Sequence, residues 1–287
     1  LALSADRLDN RQGQVIADGD SQLNVQTVLN NESGLVHSAG PLEIVASEIN
    51  NRHTGQSGKG LEAGKLTLAA DILDNAEGAA RSVSHLTARV TRVLDNLRGL
   101  LSSQKTLSVQ GQALTVNNRE GMLIADDSAD ISARAVSGDG QILSRDRLTV
   151  HVADDFRNTG SVKANGDLTL LTDRRLINDG VIAGQQGLEI RADNLVNTVQ
   201  GDITAKETHL NVAGTLENRG LIDGELTHLT TGVLNNTGSG RIFGDHLAVE
   251  AGVLNNDRDG DKAPVIASRD RLDIAAGTVN NRGHALI

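Results

Sequence analysis

The sequence predicts an all-β fold: a right-handed parallel β-helix, or solenoid, of about fourteen coils of ~21 residues with three short strands in each. Three observations predict it. An Asn recurs at near-regular intervals through the 287 residues, a Gly opens most intervals and is followed by apolar residues in alternation, and turn-forming Gly, Asn and Asp separate the alternating runs. Period-two alternation is the signature of a strand, and a fixed period of this length is the signature of a stacked array.

The anchors come first in the argument. Taking the residue that closes each Leu-x-Asn-like step gives Asn10, Asn31, Asn51, Asn75, Asn96, Asn118, Asn158, Asn178, Asn197, Asn218, Asn236, Asn256 and Asn281. With Gly138, at the centre of the 40-residue gap between Asn118 and Asn158, there are fourteen anchors separated by steps of 18 to 25 residues. Asn tolerates left-handed backbone geometry at a turn, and its amide can bond the equivalent Asn of the next coil. A structural turn-and-ladder role is therefore expected for these residues.

The first strand of each coil follows the anchor as Gly-x-apolar-x-small, for example Gly34-x-Val36-x-Ser38 and Gly220-x-Ile222-x-Gly224. The second is an alternating pair such as Leu23 and Val25, Leu66 and Leu68, or Leu188 and Ile190. The third is a short run into the anchor, marked by Leu8 or Leu195. One such coil cannot bury its apolar residues alone; stacked on copies of itself, it pairs every strand in parallel and fills the bore with Leu, Ile, Val and Ala. Crossover chirality makes the winding right-handed. At ~4.8 Å per coil the array is expected to be a rod of roughly 60 Å.

Residues 1–287 are read as one continuous repeat region, with corner insertions near 52–60 and 257–263. The chain opens and closes inside alternating runs, so it is expected to be a length cut from a longer array. Residues 79–96 could be drawn as a helix, but Ala80, Ser82, Leu86, Ala88 and Leu94 fit the coil register and predict a small-residue coil. Leucine-rich repeats share the period; their Leu and Asn sit in one strand-turn block, whereas here the Gly-x-apolar-x-small strand splits the Leu clusters.

Composition narrows the function. With two Phe and neither Trp nor Tyr, the core must be aliphatic, which favours many thin layers over one large core. A net charge of −10 without a Lys/Arg block argues against nucleic-acid binding. The lack of Cys excludes disulfides and thiolate zinc sites and suits passage through an oxidising compartment. No run approaches the ~18 apolar residues of a membrane span, so no membrane insertion is expected.

The blocks LDNRQGQVIADGDSQLNV at 8–25, FRNTGSVKANGDLTL at 156–170, LINDGVIAGQQGLEI at 176–190 and LENRGLIDGE at 216–225 resemble the haemagglutinin repeat of filamentous-haemagglutinin-type exoproteins. These are large surface proteins of two-partner secretion in Gram-negative bacteria, and the shafts of contact-dependent growth-inhibition effectors are similar. The resemblance implies a β-helical shaft exported by an outer-membrane transporter and displayed at, or shed from, the cell surface. It further implies attachment to a host-cell or bacterial surface receptor or glycan, with the chain expected to act as a monomer. No catalytic motif of such proteins matches here.

An alternative is a β-helical carbohydrate-active enzyme, which needs carboxylates or bases gathered on one face. The candidates Asp18, Asp20, Asp126, Asp127, Asp154 and Asp155 fall in turns at different corners, and Phe156 and Phe243 fall at apolar repeat positions, leaving no sugar platform. The chain is read as non-enzymatic and without a cofactor. His85, His209 and His246 precede second-strand positions and point outward, and adjacent coils are read as lacking a matching His. The strongest metal candidate is the run Asp257, Asp259 and Asp261, whose alternating carboxylates around Gly260 suggest part of a calcium loop without its bidentate Glu.

Overall fold

A computed structural model of the chain describes residues 1–56 and 58–287. The described residues form strands and turns, with no helix among them. They wind as a right-handed parallel β-solenoid of about thirteen turns. By internal contacts the chain divides into two compact units, Leu1–Asp146 and Arg147–Ile287.

In Leu1–Asp146 the three strands of each coil lie over the same three strands of the next. On the first face, Val15, Val36, Leu61, Ala80, Leu101, Leu123 and Ile142 form one column of successive register partners. The second face stacks Leu23, Ile44, Leu68, Ala88, Val109 and Ile131. The third stacks Leu29, Ile49, Leu73, Leu94, Val116 and Val136. From Leu23 to Ile142 these side chains are at most 7% exposed. Burying each aliphatic side chain is worth roughly 1.5–3 kcal/mol, and because the neighbours above and below supply the cover, stability comes from stacking. The segment open to a helical reading forms strands Ala79–Ser82 and His85–Asp95 instead, with Ala80, Leu86, Ala88 and Leu94 turned inward and Val90 adding bulk beside the alanines.

Arg147–Ile287 repeats the plan with larger side chains. Its first face stacks Val162, Ile182, Ile203, Ile222, Ile242 and Ile266. Its third stacks Phe156, Leu176, Leu195, Leu216, Leu234 and Leu254. The small residue that ends many first strands lies at an inner corner, where a hydroxyl finds a use. Ser38 donates to the Gly19 carbonyl at 2.6 Å, Ser103 to Ser84 at 2.8 Å and Ser144 to Asp127 at 2.9 Å, each tying a coil to the corner of the one before it.

Candidate functional site: asparagine ladders and corner loops

The anchor asparagines point into the bore at the corner between the third strand and the next coil's first strand. In Leu1–Asp146 the Nδ2 of Asn10 donates to Oδ1 of Asn31 at 2.7 Å, and the relay continues through Asn51, Asn75, Asn96 and Asn118 at 2.8–2.9 Å. In Arg147–Ile287 a second relay runs from Asn158 through Asn178, Asn197, Asn218, Asn236 and Asn256 to Asn281, again at 2.8–2.9 Å. The second amide hydrogen goes to a backbone carbonyl at the start of the next first strand, for instance Ala79 from Asn51 at 2.9 Å and Leu221 from Asn197 at 3.0 Å. Asn31 through Asn118 and Asn158 through Asn256 are no more than 3% exposed; Asn10 is at 7%, and Asn281 is exposed. A buried amide is tolerated only when its donors and acceptor are engaged, and here the neighbouring coil engages them. Gly138 follows the paired residues Asn117 and Ser137, so it occupies the anchor position of its coil with φ of +106° and no side-chain amide.

The Gly that follows an anchor has a steric cause. A Cβ on Gly78 would lie 2.1 Å from the carbonyl oxygen of Asn51, and one on Gly99 2.2 Å from that of Asn75. The coil below occupies the space a side chain would need. Thr54 takes this place after Asn51, fully buried, with its hydroxyl donating to the Asn51 carbonyl at 2.8 Å and accepting from the Ala79 amide at 3.1 Å.

The corner carries surface electrostatics. Arg11 holds Asp9 through a paired hydrogen bond at 2.7–3.2 Å and pulls its carboxyl down to about 2. Glu77 accepts from His53 and Arg98, which lower its carboxyl below the usual range. Asp74, in register with Asp95, is raised instead, mainly because burial disfavours its charge, with Asp95 adding to the effect.

The expected insertion near 52–60 includes Ser57, which lies outside the described residues. Its described part is clamped by Arg81, which donates to the carbonyls of Gly55 at 3.2 Å and Lys59 at 3.3 Å. The insertion at 257–263 is a tight hairpin in which Asp259 and Lys262 exchange backbone bonds across Gly260 and Asp261. The structure does not bring Asp257, Asp259 and Asp261 onto one ion: Asp257 is held by Arg282 at 2.8 and 3.0 Å, Asp259 by Arg219, and Asp261 by Arg258 at 3.3 Å. Three arginines from different segments pull the carboxylates apart. Among the described residues no three His, Asp or Glu side chains are gathered for a metal ion.

Two readings of the sequence are corrected. Phe156 is buried, but Phe243 lies on the outer side of its strand, half-buried, between the inward Ile242 and Gly244. His209 does have a match: it is paired in register with His228 of the next coil, the rings meeting edge to face with centroids 5.9 Å apart. The pair is hard to see in the sequence because both of its coils have Thr, Thr208 and Thr227, where the flanking coils have Leu188 and Leu247, which hides the register.

Asp18, Asp20, Asp126, Asp127, Asp154 and Asp155 lie between strands. Asp126 and Asp154 make ion pairs with Arg145 at 3.7 Å and Arg174 at 3.8 Å, and Asp155 accepts from the Arg175 amide at 3.3 Å.

The chain is a stretch of haemagglutinin repeats of the filamentous-haemagglutinin type, and its Asn ladders run through a parallel three-faced solenoid. The haemagglutinin repeat family matches residues 1–43 and, overlapping them, 22–62. Along most of its length the chain is similar to CdiA proteins. It is 29% identical over 265 residues to a deoxyribonuclease CdiA of Dickeya dadantii, covering 90% of this chain and 7% of that protein. It is 28% identical over 239 residues to a toxin CdiA of Escherichia coli, covering 83% and 7%. A tRNA nuclease CdiA of another Escherichia coli strain is 30% identical over 237 residues, covering 83% and 6%. The chain therefore spans less than a tenth of these relatives. No solved structure matches it at significance.

Proposed function

We propose that this chain is a stiff spacer length of the shaft of a secreted bacterial exoprotein, holding functional regions away from the cell surface. The observation that carries this reading is the Asn relay: each coil's buried polar groups are satisfied by the next coil, so the stack resists bending and local opening. Export through an outer-membrane two-partner transporter and display on the surface of a Gram-negative cell follow from the family.

Between the adhesive shaft and the growth-inhibition stalk, the relatives favour the stalk. They carry different activities in their names, deoxyribonuclease and tRNA nuclease, yet share this stretch. Shared scaffold with divergent activity supports a spacer common to all of them, with the activity residing elsewhere in those proteins. The test is an in-frame deletion of one coil, residues 159–178, from the parent exoprotein. A stalk keeps its inhibition of neighbouring cells in co-culture, shortened by one coil; abolished inhibition with normal surface display would instead assign this stretch a specific binding role. Attachment of the isolated chain to host cells or to a glycan such as heparin would favour the adhesin.

A further inference from the structure

We propose that His209 and His228 form a two-imidazole site for a divalent transition-metal ion on the outer face of the second-strand stack. The two residues are direct register partners on adjacent parallel strands. Strands so paired lie ~4.8 Å apart, and metal–nitrogen bonds are ~2.0–2.1 Å long, so one ion between the rings is within reach of both after small side-chain rotations. The rings already meet, 5.9 Å between centroids at an interplanar angle of 75°.

They stand at the edge of an open groove of about 560 Å³ that also presents Asp167, Glu189, Glu207 and Thr230. Gly187, between Asp167 and Glu207 on the outer side, leaves room in it. Glu189 is engaged by Arg191 at 2.6–2.7 Å, and Glu207 lies two residues before His209 on the same side of the strand, so the protein supplies two imidazoles and water completes the coordination. Glu250 lies 3.7 Å from Nε2 of His228 and supplies nearby negative charge. Imidazole with water is a donor set that suits zinc, nickel and copper rather than calcium or magnesium. Bound there, the ion would bridge the coil containing Glu207–Asn218 to the one containing Leu226–Thr237.

The probe is Zn²⁺ alone, titrated calorimetrically into the chain, with Ni²⁺ as a second ion. One equivalent is expected to bind and to raise Tm. His209→Gln and His228→Gln should each weaken binding at least tenfold while leaving the β-sheet circular dichroism unchanged, because both rings are outside the bore. His85→Gln, at a His bonded instead to Thr106 of the next coil, should leave it unaltered. Should either variant lose the fold, the imidazole proton resonances of the parent chain answer the question: those of His209 and His228 must shift together on addition of Zn²⁺. Absence of binding up to millimolar metal, or binding that neither substitution weakens, overturns the proposal.

Discussion

The two units hold the same Asn relay over different turns. In Leu1–Asp146 the first-face column residue comes five positions after Asn10, Asn31, Asn75, Asn96 and Asn118, and ten after Asn51. The second residue after each anchor there has a left-handed backbone: Gln12, Ser33, His53, Glu77, Arg98 and Glu120, all with φ of 50–56°. In Arg147–Ile287 the interval is four after Asn158, Asn178 and Asn218 and six after Asn197 and Asn236, and none of these turns has a non-Gly residue at positive φ. The outward residue just before the anchor differs as well. In the first unit Asp9, Asn30, Asn50, Asp74, Asp95 and Asn117 each accept from the backbone amide two residues on, capping their own turn. In the second, Asn235, Asn255 and Asn280 bond one another across coils at 2.8 Å, forming an outer amide ladder beside the inner one. Turn length and turn chemistry are thus free to vary, because the register is re-established by inter-coil bonds on either side of the corner.

The largest effect is expected from breaking what the units share. Asn96→Leu and Asn178→Leu should each cost about 2–4 kcal/mol, since the neighbouring coil's amide oxygen and a strand carbonyl lose their buried donor. Equal losses, read from denaturant melts with amide exchange locating the opening, sustain a common ladder; a difference above about 1 kcal/mol would make the turn the stronger element. Next comes the post-anchor Gly. Gly78→Ala should cost about 1–3 kcal/mol because its Cβ meets backbone that cannot rotate away, whereas Gly19→Ala, with nothing within 4 Å, should leave the melt within about 0.5 kcal/mol.

Smaller effects sharpen the contrast. Glu120→Gly relieves a left-handed non-Gly residue and should stabilise the chain by roughly 0.5–1 kcal/mol, while Val199→Gly, in a second-unit turn with no such strain, should destabilise it by a similar amount. A loss in both would show that the left-handed turns carry no strain. The smallest effect is pH-dependent. Because burial raises the Asp74 carboxyl, the folded chain holds that proton more tightly than the unfolded chain. This favours the fold on the acid side and is lost as pH rises from the ordinary Asp value through the raised folded one. Asp74→Asn keeps the turn-capping oxygen, removes the buried charge and its repulsion with Asp95, and gives up the 3.6 Å ion pair with Arg52. It should raise Tm by a degree or two at pH 7 and leave it unchanged near pH 3; an equal shift at both would assign the gain to something other than charge.

Period and sidedness were legible in the sequence. Alternation is a property of neighbouring residues, so Leu66 and Leu68 or Leu188 and Ile190 declare their inward side without reference to anything distant. The recurrence of Asn marks where each coil closes. The acceptor of each amide was not legible, nor were the left-handed residues of the first unit, whose identities range from Gln12 to Arg98 with no common chemistry. The outward turn of Phe243 was hidden because an aromatic beside an isoleucine suggests core from either side of a strand.

Local periodicity repeated many times is enough to specify the parallel solenoid and its aliphatic interior. Which outward residues meet depends on the register between coils. His209 faces His228 and Asp74 faces Asp95 because coils of unequal length are brought back into register by hydrogen bonds between them. That alignment spans some twenty residues of chain, and no local pattern encodes it.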